Sequence, residues 1–495
     1  MRYMIATTLI LLGMSAGAQA EDGIAFAPGQ ICCFLREGGQ IDEVNARWGT
    51  VTLEAEGDEF FLLYAAGVGD LEAFADSLSQ DPDVEAAEVN YLLETPEAVR
   101  QMVIGAVGGT WDDFEDQALT ERIGLDRAHT MSTGDGVIVA VLDTGIDPSH
   151  DVFAGRLSAA GYDPIEDDRE PWELANGIDD DGDGVVDGGY GHGTMVAGLV
   201  ALVAPGATIL PVRVLDDEGR GNSFDITQGM MRALANGASV INMSFGAPHI
   251  ITTIQQKLHV ANVHGAVVIA GAGNRNQENP PYHPACDSLA FMVTALDSLD
   301  VKADFADYHG RVLVSAPGVG VRSAYPGNDW GIGSGCSFAT PLVSGEAALI
   351  LSLDPSLGRE ELETVLQAGV EPIYQIPRNG LYAGKLGSGR IYLPGALTGL
   401  LPAATPDGPG WRGIRVWPNP SQGVIHFAAP GWGEPLEAGV YDAGGRRLGA
   451  FEAPRGEVLS LRVLSAGGQP LPAGSYWLRL GAGPEQRVLP LRILR

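Results

Sequence analysis

The sequence predicts an α/β protein built on a mainly parallel sheet flanked by helices, with a small α+β unit before it and a β-sandwich after it. Three observations carry this. Between residues 118 and 400, short apolar runs alternate with longer apolar or amphipathic segments, the signature of strand–helix–strand units. Residues 24–95 hold a compact strand–helix–strand pattern of their own. From residue 412 onward, short alternating runs are separated by Gly and Pro, the rhythm of sandwich strands.

In the first unit, residues 31–35, 60–64 and 84–91 read as strands and residues 70–79 as a helix. Residues 96–117, with Pro96, Gly105, Gly108 and Gly109 ahead of an acidic stretch, read as a linker. Residues 137–142 are continuously apolar, as a strand buried on both faces requires, and residues 208–215, 240–245 and 266–270 repeat that character. Residues 194–202, 225–236, 251–264 and 339–353 read as helices. Active groups in such sheets gather beyond the carboxyl ends of the strands. Residues 401–411 form a second, Pro/Gly-rich linker, and residues 412–495 the terminal module.

The chain has 495 residues, more than one domain's worth. With 63 acidic and 30 basic residues its formal net charge is −33, which argues against nucleic acid as a partner because phosphates would be repelled. The sign reverses at the end, where residues 412–495 carry ten arginines against six acidic groups. The first twenty residues read as a secretory signal: Arg2, an apolar core over 5–14, and Ala18-Gln19-Ala20 with cleavage expected after Ala20. No later stretch approaches ~18 consecutive apolar residues, so the mature protein is not expected to span a bilayer. Four cysteines are too few for a disulfide scaffold; Cys32 and Cys33 are adjacent, and a Cys286–Cys336 bridge is conceivable in an exported protein.

Three motifs carry the chemistry, in the order Asp, His, Ser. Val141-Leu142-Asp143-Thr144-Gly145 puts an aspartate at the end of a buried strand. Gly191-His192-Gly193-Thr194 opens an apolar helix with a histidine. Gly335-Cys336-Ser337-Phe338-Ala339-Thr340-Pro341 opens another with a serine. A serine hydroxyl is a weak nucleophile and needs a base within hydrogen-bond reach. His192 can take that proton and return it to the leaving amine, while Asp143 fixes its tautomer and stabilises the imidazolium. A helix starting at Ser337 offers a backbone N–H and a positive dipole end to a developing oxyanion. Ala270-Gly271-Ala272-Gly273-Asn274 follows a buried strand and supplies Asn274 as a side-chain donor to the same oxyanion. Each residue alone is better explained as a cap or turn; the ordered set of four is what points to catalysis.

On these motifs, residues 118 to about 397 resemble the catalytic domain of the subtilisin family of serine proteases. The resemblance implies that Ser244-Phe245-Gly246 pairs with bound peptide and that Ala270 to Gly273, including Gly271 and Ala272, line the pocket for the side chain before the scissile bond. Cys336, Phe338 and Leu342 depart from the family's usual threonine, methionine and histidine, and none replaces a triad member. Asp83-Val84-Glu85-Ala86-Ala87-Glu88-Val89-Asn90-Tyr91 resembles the closing strand of the family's propeptides. That implies a ferredoxin-like domain that inhibits the nascent enzyme and is then cut away.

Asp179, Asp181, Asp183 and Asp187 with Gly184 spell D-x-D-x-D-G-x-x-D, carboxylates that could converge on one calcium ion; a solvated acidic turn is the alternative. Tyr190 stands where an EF-hand has its bidentate Glu. Asp151 matches a carboxylate of another family calcium site, but the helix of His192 runs almost directly into Val203-Ala204-Pro205-Gly206, which implies that site is lost. No cofactor is required for the chemistry.

Val416-Trp417-Pro418-Asn419-Pro420, Val440-Tyr441-Asp442 and Leu471-Pro472-Ala473-Gly474-Ser475-Tyr476 resemble the sorting domain of the type IX secretion system. That implies passage through outer-membrane machinery to the surface of a Gram-negative-type bacterium. The expected function is therefore a secreted serine endopeptidase, made as a zymogen, acting on proteins or peptides. Its rivals are a non-catalytic surface or adhesion protein on the same scaffold, and an ester hydrolase; outside the expected signal segment, no G-x-S-x-G elbow of the common esterase fold occurs.

Overall fold

A computed structural model describes residues 18–19, 25–97, 105–398 and 400, and beyond these seven strands between residues 415 and 493. The expected signal segment lies almost wholly outside the described residues, as do residues 418–423, 442–446 and 471–473 of the C-terminal motifs. Residues 1–400 form one compact unit and residues 401–495 a second.

The central sheet is parallel apart from one edge. Its order runs Thr208–Arg213, Ile138–Asp143, Val240–Met243, Val267–Gly271, Ala290–Leu296, Val312–Pro317 and Arg390–Ile391, with the short Val370–Glu371 strand antiparallel at the edge. The strands are buried almost end to end, which is why they read as uninterrupted apolar runs. From the Asp143 strand the chain crosses to the Thr208–Arg213 strand on one side, then continues on the other side at Val240–Met243. Asp143 thus stands at the carboxyl end of a strand where the winding reverses, the place where such sheets open a crevice.

Helices His192–Val203 and Cys336–Leu353 pack on each other and on the sheet, while Ser223–Ala235 and Thr252–Val263 form a second packed pair. Among the described residues only Cys336–Leu353 is long and apolar enough to cross a membrane, and it is 89% buried in the core of this domain. Its apolarity reflects burial all round.

The N-terminal unit is a βαββαβ fold. Strands Ala25–Leu35, Val51–Glu56, Phe60–Tyr64 and Val84–Glu94 form an antiparallel sheet with Ala25–Leu35 and Val84–Glu94 paired at one side. Helices Ile41–Trp48 and Leu71–Leu78 connect them. This is the split-βαβ pattern of ferredoxin-like domains. The second helix begins where Asp70 accepts the Ala73 amide, an N-cap visible in the sequence. The Ile41–Trp48 helix and the Val51–Glu56 strand were not expected; the strand is largely exposed and charged, so periodicity gave it no signature.

The unit's sheet lies against the helix pair of the central domain. Phe224, fully buried, enters a cluster with Cys32, Phe34, Phe60 and Leu62. Asn90 Oδ1 accepts the Phe224 amide and the Ser223 hydroxyl, both at 3.0 Å. Glu88 accepts the amides of Thr252 and Thr253 at 2.9 and 2.6 Å. Two side chains of one strand thereby satisfy orphan donors at the N-termini of two helices in the other domain.

The supposed linker is more structured than a linker. Gly105–Ala106 adds a strand to the sheet of Val321–Tyr325 and Asp329–Gly333, and Trp111–Glu115 is a helix with a capping box between Thr110 and Asp113. All four cysteines are free, so the conceivable Cys286–Cys336 bridge is not formed. In the second unit, described strands make one antiparallel sheet of three and another of four.

Candidate active site

Asp143, His192, Ser337 and Asn274 come together at the carboxyl ends of the central strands, all fully buried. Asp143 Oδ1 accepts the Thr144 amide at 2.9 Å and lies 2.6 Å from His192 Nδ1. That distance is typical of a charge-assisted hydrogen bond and fixes the ring's tautomer. Burial alone would lower the basicity of His192. The adjoining Asp143 carboxylate, aided by Glu97, outweighs it and pushes the imidazole up to about 10.

Behind this pair sits a half-buried glutamate that the sequence did not disclose. Glu173 accepts the hydroxyls of Thr144 (2.5 Å) and Thr194 (2.8 Å) and the amide of Gly193 (3.1 Å). It ties the turn after Asp143 to the helix that starts at His192. Burial, with the nearby Asp143 charge, holds Glu173 up at about 7 against the pull of those donors. Glu173 lies in an irregular segment whose path no periodicity predicts.

Ser337 is the second residue of the Cys336–Leu353 helix. Its carbonyl accepts the Ser244 hydroxyl at 3.0 Å, and Asn242 and Ser344 continue that buried network. Asn274 Oδ1 accepts the Cys336 amide at 2.9 Å, which orients the side chain so that Nδ2 is the end that donates. Cys336 donates to the Gly273 carbonyl at 3.1 Å, and burial raises its thiol to about 12, so it is an inert core cysteine.

The Ser337 hydroxyl does not bond to His192. Its single proton lies between two acceptors, Glu97 Oε2 at 2.7 Å and the Ser244 carbonyl at 2.9 Å. Asn274 Nδ2 donates to Glu97 Oε1 at 2.8 Å, and His192 Nε2 lies 3.4 Å from Glu97 Oε2. One carboxylate therefore touches the candidate nucleophile, the candidate base and the candidate oxyanion donor. A Cβ on Gly335 would lie 1.6 Å from Glu97 Oε1, so a glycine there keeps the space for that group open. Glu97 was counted within the linker, and nothing local in the sequence marks it.

Glu97 arrives at the end of a strand that fills the crevice. Glu94 and Gly246 exchange two backbone hydrogen bonds, N–H to O at 3.2 and 3.1 Å. On the other side Leu92, Leu93 and Glu94 pair with Asn222, Gly221 and Arg220, and the Thr95 amide donates to the Gly219 carbonyl at 2.9 Å. The tail is thus the middle strand of three. Of the expected peptide-pairing residues, Gly246 pairs with the tail, Ser244 presents its carbonyl to Ser337, and Phe245 turns its side chain into the core. The opposite wall, residues 219–222, was not expected; its closely spaced glycines were the available clue. Gly271 closes its strand and Ala272 is buried beside it. Gly273, at φ 104°, has no room for a Cβ, which would meet Asp307 Oδ2 at 2.4 Å.

A sequence profile of the subtilase family matches residues 134–375. The chain is 34% identical over 328 residues to the thermophilic serine proteinase of Bacillus sp. (strain AK1), spanning 64% of this chain and 74% of that protein. The chain belongs to the subtilase family. It is a subtilisin-like serine endopeptidase. Thermitase of Thermoactinomyces vulgaris is 35% identical over 242 residues, 47% of this chain and 81% of that one. Among solved structures, fervidolysin of Fervidobacterium pennivorans, a keratinolytic enzyme related to subtilisin, superposes over 97% of this subtilase and 78% of its own chain. The TM-score is 0.63 at 19% identity, a likeness of fold.

The acidic loop is brought together only in part. Asp179, Asp181 and Asp183 place carboxylate oxygens within 4.8 Å of one another. Asp187 is outside this group: it accepts the amides of Asn176 and Gly177 instead. Its φ of 50° lies in the left-handed region. Three carboxylates still suit a hard cation needing ~6–8 oxygens with water completing the shell, although Asp181 is already paired with Arg220 at 2.9 Å.

Proposed function

We propose that the protein is a secreted endopeptidase made as a latent precursor, with Ser337 as nucleophile, His192 as general base and acid, and Asp143 orienting and stabilising the imidazolium. In the active enzyme His192 Nε2 takes the Ser337 proton as Oγ bonds to the peptide carbonyl carbon. The carbonyl π electrons move onto oxygen, which accepts hydrogen bonds from Asn274 Nδ2 and the Ser337 amide. Collapse of this adduct breaks the C–N bond and the leaving amine takes the proton from His192. Water then repeats the sequence on the acyl-enzyme and restores Ser337.

The observation that carries the reading is the placement of Glu97 on Ser337 and Asn274 at the end of a strand paired as a substrate would be. Residues 24–95, extended to Glu97, act as an intramolecular inhibitor. The cleft is filled by the chain's own tail, and His192 beside two carboxylates is held as imidazolium, a form that cannot take a proton. Activity requires that the tail leave. A fluorophosphonate that labels Ser337 in the matured protein, with loss of peptide cleavage in Ser337→Ala, is the expected result; a folded matured protein that neither labels nor cleaves any of a broad peptide set refutes it.

The amino-terminal signal and the C-terminal module with its resemblance to a type IX sorting domain support export through the outer membrane, with action at the cell surface or beyond. A calcium ion held by Asp179, Asp181 and Asp183 would brace the loop that Arg220 joins to the cleft wall.

A further inference from the structure

We propose that the cleft contains a subsite for an acidic side chain at the third residue before the scissile bond, formed by Arg275 with Arg220, and that this subtilase prefers peptides with Glu or Asp there. The inference rests on reading residues 92–97 as lying where substrate lies.

The register fixes the position. Glu94 is the residue paired with Gly246, and a peptide that continued this antiparallel pairing would place the residue two further on opposite Ser244. The Ser244 carbonyl accepts the Ser337 hydroxyl, so the carbonyl of that residue is the one within reach of Ser337. The residue paired with Gly246 is therefore the third before the bond attacked.

Its side chain meets positive charge. Glu94 Oε1 lies 3.7 Å from an Arg275 guanidinium nitrogen. Arg220 is directly opposite Glu94 in the strand pair; burial holds the Glu94 carboxyl above its ordinary range, and both guanidinium groups offset part of that rise. Arg275 is not a loose surface residue. It follows Asn274, its amide donates to Asp307 Oδ1 at 3.1 Å, and the Asp307 amide is held by the Gly273 carbonyl at 2.9 Å. The element that sets the oxyanion donor thus also sets this cation. Arg220 is also paired with Asp181 at 2.9 Å, and of the two arginines it is Arg275 that comes within ion-pair distance of Glu94. In a protein of net charge −33, two arginines facing one substrate position form a local reversal of sign that general repulsion does not explain.

The test uses the full chain allowed to mature, with peptides identical except for Glu, Gln or Lys at the third residue before the cleaved bond. We expect kcat/KM to favour Glu over Gln by roughly three-fold and over Lys by roughly ten-fold, the range of a partly exposed ion pair, with the ratio shrinking as salt is added. Arg275→Glu reverses the order of Glu and Lys. In the full chain, Glu94→Lys shortens the lag before activity appears, and Glu94→Lys with Arg275→Glu lengthens it again. Equal rates for the three peptides, or a ratio that Arg275→Glu leaves unchanged, overturn the subsite while leaving the endopeptidase intact; an unchanged lag in Glu94→Lys also counts against it. Cleavage of none of the peptides would instead overturn the assignment of the cleft itself.

Discussion

Glu97 Oε2 accepts the Ser337 hydroxyl at 2.7 Å, and because its other oxygen holds Asn274, the carboxylate stands where a substrate carbonyl would be polarised. On the proposed reading the tail would do more than obstruct, because its carboxylate holds the Ser337 hydroxyl and Asn274 Nδ2. Glu97→Ala removes those bonds while leaving the strand pairing of residues 92–94 in place. A charged hydrogen bond contributes about 1.5–3 kcal/mol, so the precursor should release its tail roughly ten-fold sooner or more. The lag before peptide cleavage, followed in real time, measures this; an unchanged lag would mean that pairing alone maintains latency.

The histidine should report the same latch. Its imidazole titrates at about 10 in the precursor because Asp143 and Glu97 outweigh burial. A group whose value is raised on binding holds its partner below that value and lets go as pH rises through it. The imidazolium–Glu97 contact is therefore present through neutral pH and lost toward pH 10. In full-chain Ser337→Ala, the low-field ring N–H resonances of His192 should persist to about pH 10. Titration at a much lower pH would contradict it.

Glu173 is a positioning residue. It touches Thr144, Gly193 and Thr194, not the reacting atoms. Glu173→Gln keeps the shape but exchanges one acceptor oxygen for a donor, and from about pH 7 upward it also removes a negative charge near the Asp143–His192 pair. We expect kcat to fall about ten- to a hundred-fold with KM little changed, and the upper part of the acid limb of the kcat/KM profile, where Glu173 is ionised, to move to lower pH because the imidazolium loses stabilisation. A fall in activity with an unmoved acid limb would mark Glu173 as merely structural.

Much of this site was legible in the sequence, for a physical reason. Asp143, His192 and Ser337 each sit at the junction of a long apolar run and a polar or glycine-rich turn, and such junctions are local. Their geometry follows once parallel strands line up their carboxyl ends. Glu97 and Glu173 escaped because their roles arise from contacts with Ser337 and Thr194, far along the chain, and they lie in segments without periodicity. The fourth aspartate of the acidic loop was misplaced for a similar reason, since Asp187 adopts a left-handed backbone that no spacing rule discloses.

Glu346 gives a prediction about stability. It is fully buried in the Cys336–Leu353 helix with no partner for either oxygen among the described residues, and burial raises it to about 8. The raised value means that no charge is buried below the group's ordinary range, and that stability is lost as pH rises from about 4.5 through about 8. Glu346→Gln should match the parent near pH 4 and exceed it at pH 9, by up to about 5 kcal/mol. Thermal inactivation half-lives across that range give the comparison; parallel curves would contradict it.

Calcium, if held by Asp179, Asp181 and Asp183, should raise the thermal midpoint of the full chain, and chelation should lower it by several degrees. Asp183→Asn should abolish the difference. A midpoint indifferent to both would leave the loop a solvated acidic turn.

Intact-mass analysis of the chain during maturation, with a fluorophosphonate present throughout, tests the central claim most directly. The account predicts no adduct on the precursor and one adduct, at Ser337, on the species that has lost residues through Glu97. An adduct forming at full rate on a species that still carries residues 25–97 would contradict it.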